Sequence, residues 1–362
     1  MADIRFGIVG PGKVAWLHAT ALARIPGARL AAVAGRSRER AEALAVAHEA
    51  RVDESIDQMM DRGGVDAVII CTPHPLHRDQ AIAAAGAGLH TVIEKPMALN
   101  PADCDAMIDA AAATGVVLSV VSQRRWYAPV SRVKAAIEDG RIGRPGLATV
   151  EVLGWRGDEY YAMDDWRGTM AGEGGGVIVN QAAHQIDLVR WFLGPVAEVD
   201  GWTANLNHPG IDVEDTAVAV VRFESGALAT ITLSNSQRPG LHARIHVHGR
   251  NGASVGVETD AGSSFVAGIS APSEPRNDLW TIPGEEAAPE RWIAEDRAGL
   301  AGVDRESHHH ELQLRDVVVA IRDGRPPAVG GSDGRAAVEL MDAIYRAAAS
   351  GRRVQLGGGA QA

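Results

Sequence analysis

The chain has 362 residues, 46% hydrophobic and 22% charged, with a formal net charge of -11. That length and composition suit a globular chain of about two domains. The acidic balance disfavours a nucleic-acid partner, and no apolar run reaches the ~18–20 residues of a membrane span.

Met1 leads almost at once into an apolar run at 4–9, without the regions of a signal peptide. Only Cys71 and Cys104 occur, too few for a disulfide framework, so a reducing cytoplasm is expected. After residue 9 come Gly10, Pro11, Gly12, Lys13, Val14 and Ala15, and the pattern turns helical to about Ile25. This is the G-x-G-x-x-A form of a dinucleotide fingerprint, set between a strand and a helix. Gly10 is expected to make the tight turn and Gly12 to let the backbone approach a pyrophosphate. Ala15 permits close helix–sheet packing, and the helix N-terminus offers N–H groups to phosphates. Further strands are expected at 29–34, 65–71, 90–93 and 116–121, with a short one near 50–52. Helices are expected at 37–48, 55–62, 76–87 and 101–114. The alternation implies a doubly wound parallel sheet covered on both faces.

The second strand ends in Gly35, Arg36, Ser37 and Arg38, with no carboxylate for the ribose hydroxyls. Arg36 and Ser37 suit a 2′-phosphate, so NADP is favoured over NAD. The alternative is that the arginines only open a solvated helix. At the carboxyl end of the 65–71 strand, Cys71, Thr72, Pro73, His74 and His77 are expected to line the cofactor crevice. No Cys/His cluster at metal spacing accompanies them, and no metal is expected. Glu94, Lys95 and Pro96 leave the next strand at the same edge, and Pro96 keeps Lys95 out of the helical region. Glu94, Lys95 and Gln123 complete the expected cofactor set, with Lys95 also reaching the substrate.

The periodicity changes after Gln123, which places one domain at 1–123 and a second at 124–362. A helix at 130–139, a strand at 147–153 and hairpins turning at Ser225-Gly226 and Asn251-Gly252 suggest a substantial antiparallel sheet. Half of the aromatic residues fall between Trp126 and Phe192, interleaved with Arg124, Arg125, Arg156 and Arg167. Aromatic faces pack on sugar rings and arginines fork onto hydroxyls or acids. Arg124, Trp126, Tyr127, Arg156, Trp166 and Arg167 are therefore candidate substrate contacts; Trp191 and Phe192 read as packing. In "GEGGGVIVNQAAHQIDLVRW" (172–191) the glycines open one apolar helix on which Asn180, His184 and Asp187 share a face. The stretch 271–289 reads as a long surface loop. His308, His309 and His310 open a helix, and the glycines at 357–359 suggest a disordered tail.

Three segments carry a resemblance: "CTPHPLHRDQAIAAAGAGLHTVIEKPMA" after the fingerprint, "GEGGGVIVNQAAHQIDLVRW", and "RDVVVAIRDGRPPAVGGSDGRAAVELMDAIYRAAASGRRVQL". Together they make the chain similar to the Gfo/Idh/MocA oxidoreductases over nearly its whole length. The resemblance implies a Rossmann domain followed by an α/β domain with a large open, mainly antiparallel sheet. It also implies a nicotinamide cofactor, a sugar or cyclitol substrate, and homodimers or homotetramers. It assigns Lys95 to orienting the substrate hydroxyl and His184 to proton transfer. The family often has Asp where this chain has Asn180. Asn orients but adds no charge; Asp187 either supplies that charge instead or is buried structure. A histidine has a reference pKa near ~6.5, suited to general acid–base work. The expected function is NAD(P)-dependent oxidation of a secondary alcohol of a sugar, cyclitol or glycoside, with Lys95, His184 and Asn180 catalytic. Two others stay open: a redox-neutral glycosidase working by transient ring oxidation, and a non-catalytic dinucleotide sensor.

Overall fold

The computed structural model describes residues 3–261 and 274–357. They form two compact units. One is Met1–Gln123 with Asp304–Val338, and the other is Arg124–Val303 with Glu339–Ala362.

In the first unit, β1 (Ile4–Val9), β2 (Ala28–Ala34), β3 (Arg51–Asp53), β4 (Ala67–Ile70), β5 (His90–Ile93) and β6 (Leu118–Val120) form a parallel sheet. Its order is β3-β2-β1-β4-β5-β6, so the winding reverses between β1 and β4. The strands alternate with α1 (Lys13–Leu22), α2 (Arg38–Ala47), α3 (Ile56–Arg62), α4 (His77–Gly86) and α5 (Pro101–Thr114). Side-chain alternation splits the core in two. Phe6, Ile8, Val33 and Ile69 pack with Ala15, Ala19 and Leu22 of α1 on one face. Val9, Val68, Ile70 and Ile93 pack with Met59, Ala84 and Met107 on the other. Burying each large aliphatic side chain contributes ~1.5–3 kcal/mol. Ser37, Ser55 and Asn100 cap α2, α3 and α5 through their side-chain oxygens.

One element of this unit comes from far along the chain. Helix α11 (His308–Asp323) places Leu314, Val317 and Val318 in the same cluster as α1. Its Gln313 accepts from Ser122 N–H at 2.9 Å and donates to the Val120 carbonyl at 2.8 Å. Strand β6 is the sheet edge, and Gln313 pairs backbone groups that no further strand pairs. The expected second domain, running unbroken from 124 to 362, is thus interrupted at 304–338. Periodicity marks α11 as amphipathic without saying which surface its apolar stripe covers.

In the second unit, α6 (Ala128–Glu138) leads to β7 (Pro145–Leu153) and two short helices, α7 (Asp158–Tyr161) and α8 (Met170–Glu173). Then come α9 (Ala183–Leu193), β8 (Val196–Ala204), β9 (Thr216–Phe223), β10 (Leu228–Ser234), β11 (His242–Gly249) and β12 (Ser254–Ala261). Helix α10 (Ala288–Gly299), the later part of α12 (Gly331–Ser350) and β13 (Val354–Gln355) complete it. The sheet order is β12-β11-β7-β10-β9-β8-β13, antiparallel except between β7 and β10. Gly226 and Gly252 turn the hairpins with φ of 80° and 91°. Along β9, Ala217, Ala219, Val221 and Phe223 are buried while Val218 and Val220 are exposed. Helix α9 packs against β7 and β11.

The stretch read as a surface loop is partly sheet-bound. Arg276 and Trp280 bridge to Glu258 and Val255 of β12, and Trp280 is buried. Residues 271–273 of that stretch, and Gly358 and Gly359 of the tail, lie outside the described residues. Among the described residues no helix is long and apolar enough to cross a membrane.

Candidate active site

In the first unit the candidate cofactor residues gather at the switch in strand order. Gly10 has φ +93°, and a Cβ there would lie 2.8 Å from the Cys71 main chain, so only glycine fits. A Cβ on Gly12 would meet no atom within 4 Å from the described residues beyond its own stretch of chain, which leaves space for a ligand to approach the backbone. Pro11 packs on Gly35, where a Cβ would come within 2.2 Å of the proline ring. Gly12 is the N-cap of α1 and provides no side-chain cap, so the first-turn N–H groups at Lys13 and Val14 suit phosphate oxygens. These features fit a dinucleotide. Arg36 is exposed beside them, but the Ser37 hydroxyl accepts from Arg40 N–H as the cap of α2.

Four residues assigned to the cofactor crevice make contacts within the protein. His77 is fully buried, with Nε2 2.9 Å from the Thr72 carbonyl and Nδ1 3.1 Å from the Pro96 carbonyl. It ties the loop after β4 to the loop after β5, and burial lowers its pKa. His74 packs edge-on against it. The Thr72 hydroxyl donates to Gln80 at 2.6 Å. The Glu94 carboxylate lies 2.7 Å from His18 Nε2 and accepts the Lys95 main-chain N–H at 3.1 Å. Burial pushes its pKa up, but the hydrogen bond and charge of His18 outweigh this and hold it at about 2. Glu94 is thus a carboxylate that braces Lys95 from behind. Lys95 is half-buried, followed by a cis bond to Pro96. Cys71 is half-buried, and burial with the nearby Glu94 charge holds its thiol well above the usual range. Gln123 is buried just past the end of β6, and its Oε1 has no partner among the described residues.

The second unit carries the glycine-led segment with Asn180 and His184. The single helix expected after the glycines is two pieces: a π-turn at Val177–Gln181, then α9. The Ala182 N–H reaches back five residues to Val177 at 2.9 Å. Asn180 therefore lies in the π-turn, off the regular stripe of α9 that carries His184 and Asp187. The glycines dictate this break. A Cβ on Gly176 would lie 1.8 Å from the Glu214 carbonyl. Glu214 in turn accepts from Gly176 N–H at 2.9 Å, Ile178 N–H at 3.0 Å and the Tyr345 hydroxyl at 2.8 Å.

Asn180 donates through Nδ2 to Glu173 and, at 2.8 Å, to the Tyr160 hydroxyl. Glu173 also accepts from Gly168 N–H at 2.6 Å, and burial pushes its pKa up. The Tyr160 hydroxyl further accepts from Arg167 Nη1 at 2.5 Å and Gln181 Nε2 at 3.2 Å. Arg156 and Arg167 lie 5.0 and 4.5 Å from the Tyr160 ring centre, and Arg167 lies 4.6 Å from that of Trp166. Arg156, Trp166, Arg167 and Asn180 are thus brought together. His184 is buried in the first turn of α9.

Asp187 and Arg124 are spoken for. Asp187 accepts from Arg125 Nε at 2.9 Å, and Arg125 lies over Trp191. Arg124, expected on the substrate, is buried in an ion pair with Asp260 and donates to Thr259 at 2.9 Å. Trp126 and Tyr127 sit half-buried just ahead of α6. Tyr160, Glu173 and Gln181 were absent from the sequence-derived site. Glu173 stands inside GEGGG, whose glycines read as turn, and no spacing shows that 158–173 folds back on the π-turn.

Residues 4–122 match the oxidoreductase family with an NAD-binding Rossmann fold, and residues 130–255 match the GFO/IDH/MocA C-terminal domain. The chain belongs to the Gfo/Idh/MocA oxidoreductase family. Its first unit is that family's NAD-binding Rossmann domain, α/β as expected, and its second carries the large open sheet. It is 29% identical to myo-inositol 2-dehydrogenase of Thermotoga maritima, over 98% of both chains. It is 27% identical to scyllo-inositol 2-dehydrogenase (NAD(+)) of Bacillus subtilis, over 98% of this chain and 96% of that one. Among solved structures it resembles the WlbA dehydrogenase of Bordetella pertussis in complex with NADH and UDP-GlcNAcA. The TM-score is 0.83 at 34% identity, over 98% of this chain and 99% of that one.

Proposed function

We propose that the enzyme interconverts a secondary alcohol and a ketone on a sugar or cyclitol, using NAD(H). The observation that carries this is the anchoring of Lys95. Its main chain is held by the ionised Glu94 at the end of β5, on the sheet edge that bears the fingerprint turn. Bound NAD+ supplies the hydride acceptor. His184 takes the hydroxyl proton as general base, and Lys95 orients the hydroxyl and stabilises the developing oxyanion. Asn180 positions the reacting hydroxyl. Its Nδ2 faces a carboxylate that can only accept, which fixes the amide and leaves Oδ1 as its accepting group. Trp166, Arg156, Arg167 and Tyr160 contact the substrate away from the reacting carbon. Two guanidinium groups on one tyrosine favour a substrate with an acidic substituent, in keeping with the UDP-GlcNAcA bound by the similar WlbA dehydrogenase.

The test follows the absorbance of reduced nicotinamide with inositols, free sugars, uronates, nucleotide sugars and aryl glycosides. A sustained rise with any of the first four supports the reading. Aglycone release without that rise would replace it by the redox-neutral glycosidase. Binding of NAD with no turnover on any compound would favour a sensor.

NADP is accepted alongside NAD in this proposal, with Arg36 as its 2′-phosphate contact and no carboxylate to repel it. Arg36→Ala is expected to raise KM for NADP and leave KM for NAD unchanged; equal effects on both would sink this assignment. The open face of the second sheet exposes Leu147, Trp202, Val218, Val220 and Leu228, with Trp202 63% and Val220 51% exposed. Apolar groups concentrated on one face suit a homodimer through that face. Sedimentation velocity should show a dimer that Val220→Glu converts to monomer. The two free cysteines are consistent with a cytoplasmic enzyme.

A further inference from the structure

The histidine run at 308–310 finds its use in the first unit. α11 turns His310 into the core, where it meets His18 of α1 and Glu94 at the end of β5. All three are buried, and one ligand-type atom from each lies within 4.8 Å of the other two. The His18 and His310 rings stand edge to face, 5.0 Å apart. His310 Nδ1 makes no hydrogen bond among the described residues. Buried polar atoms are rarely left in this condition. Two imidazoles and one carboxylate form a ligand set typical of zinc and of other first-row divalent ions.

We propose that His18, Glu94 and His310 form a binding site for a divalent transition-metal ion of the zinc type. The ion takes the place of the proton shared by His18 Nε2 and Glu94 Oε1, now 2.7 Å apart. Zinc–ligand bonds of ~2.0–2.2 Å put neighbouring ligand atoms ~3.3–3.5 Å apart in a tetrahedron. His18 and Glu94 then separate by less than ~1 Å, a shift side-chain rotation supplies. The ion is structural. It ties together three places distant in sequence: the fingerprint helix, the strand end that carries Lys95, and the returning helix α11.

The test uses the full-length enzyme made without a polyhistidine tag. It is stripped with chelator, equilibrated with micromolar zinc, and its bound metal is counted by elemental analysis. Wild type and His308→Ala are expected to hold one zinc per chain and to melt at a higher temperature with zinc than without. His310→Ala and His18→Ala are expected to hold less than about a tenth of that. Loading wild type with cobalt(II) needs no variant and should give the visible d–d bands of a low-symmetry, four-coordinate site. A wild-type enzyme that holds no zinc and gives no such bands overturns the proposal. Full zinc content in a folded His310→Ala enzyme does the same. Either result leaves a purely hydrogen-bonded triad.

Discussion

At Lys95 and His184, chemistry and framework can be separated by measurement. Lys95→Met and His184→Ala are each expected to lower kcat by ~10²–10⁴ while NAD binding, followed by fluorescence, is retained. Loss of NAD binding in His184→Ala would show a structural role instead. Asn180→Asp tests the buried neighbour. It sets a second carboxylate against Glu173, whose pKa burial already raises. The pair can be accommodated only by keeping a proton, so its folded-state pKa lies above the unfolded value. Stability is then intact below the unfolded carboxylate range and is lost as pH rises through the folded pKa. The expected variant melts near wild type at acid pH and well below it at neutral pH, with ~1–3 kcal/mol lost. An unchanged melting temperature across pH would show that Glu173 is not charged beside position 180. At this scale the sequence disclosed residue type better than partner. Lys95 and His184 stand out in the sequence because a motif flanks each. Arg124 looked like a substrate contact because an arginine beside a tryptophan reads the same whether it faces a sugar or Asp260.

Among elements, the π-turn at Val177–Gln181 decides where Asn180 lies. Spacing could not reveal it, because an apolar run with a polar residue every three or four positions suits a regular helix equally well. The cause lies elsewhere in the chain, at Glu214, whose carboxylate takes the N–H groups of Gly176 and Ile178. Glu214→Gln puts an amide donor where only acceptors serve. It is expected to cost ~1–3 kcal/mol and to lower kcat with little change in the KM for NAD. Differential scanning calorimetry and steady-state kinetics check the two parts; a stable, fully active variant would mean the turn is held by its glycines alone. The elements of the first half were read well, since strand, turn and helix each carry local chemistry: Ser37, Ser55 and Asn100 cap helices, and Gly10 turns the fingerprint.

Over the whole molecule, the least legible feature was the membership of α11. Leu314, Val317 and Val318 announce an apolar stripe, but only the folded chain shows that α1 receives it. A fragment of residues 1–123 would expose that side of α1 and leave β6 without Gln313. It is expected to lack a cooperative thermal transition and a dispersed amide spectrum. A well-folded fragment would show that α11 only decorates the unit.

That discontinuity bears on biosynthesis. A ribosome releases the first 123 residues early, yet α11 emerges only after the 180 or so residues of the intervening segment, made at ~5–20 residues per second. For roughly 10–40 seconds the nascent Rossmann sheet waits with an apolar flank uncovered. Such a chain is a natural client for chaperones that bind growing polypeptides, and its yield should be more sensitive to their depletion than that of an enzyme whose cofactor domain is one continuous stretch.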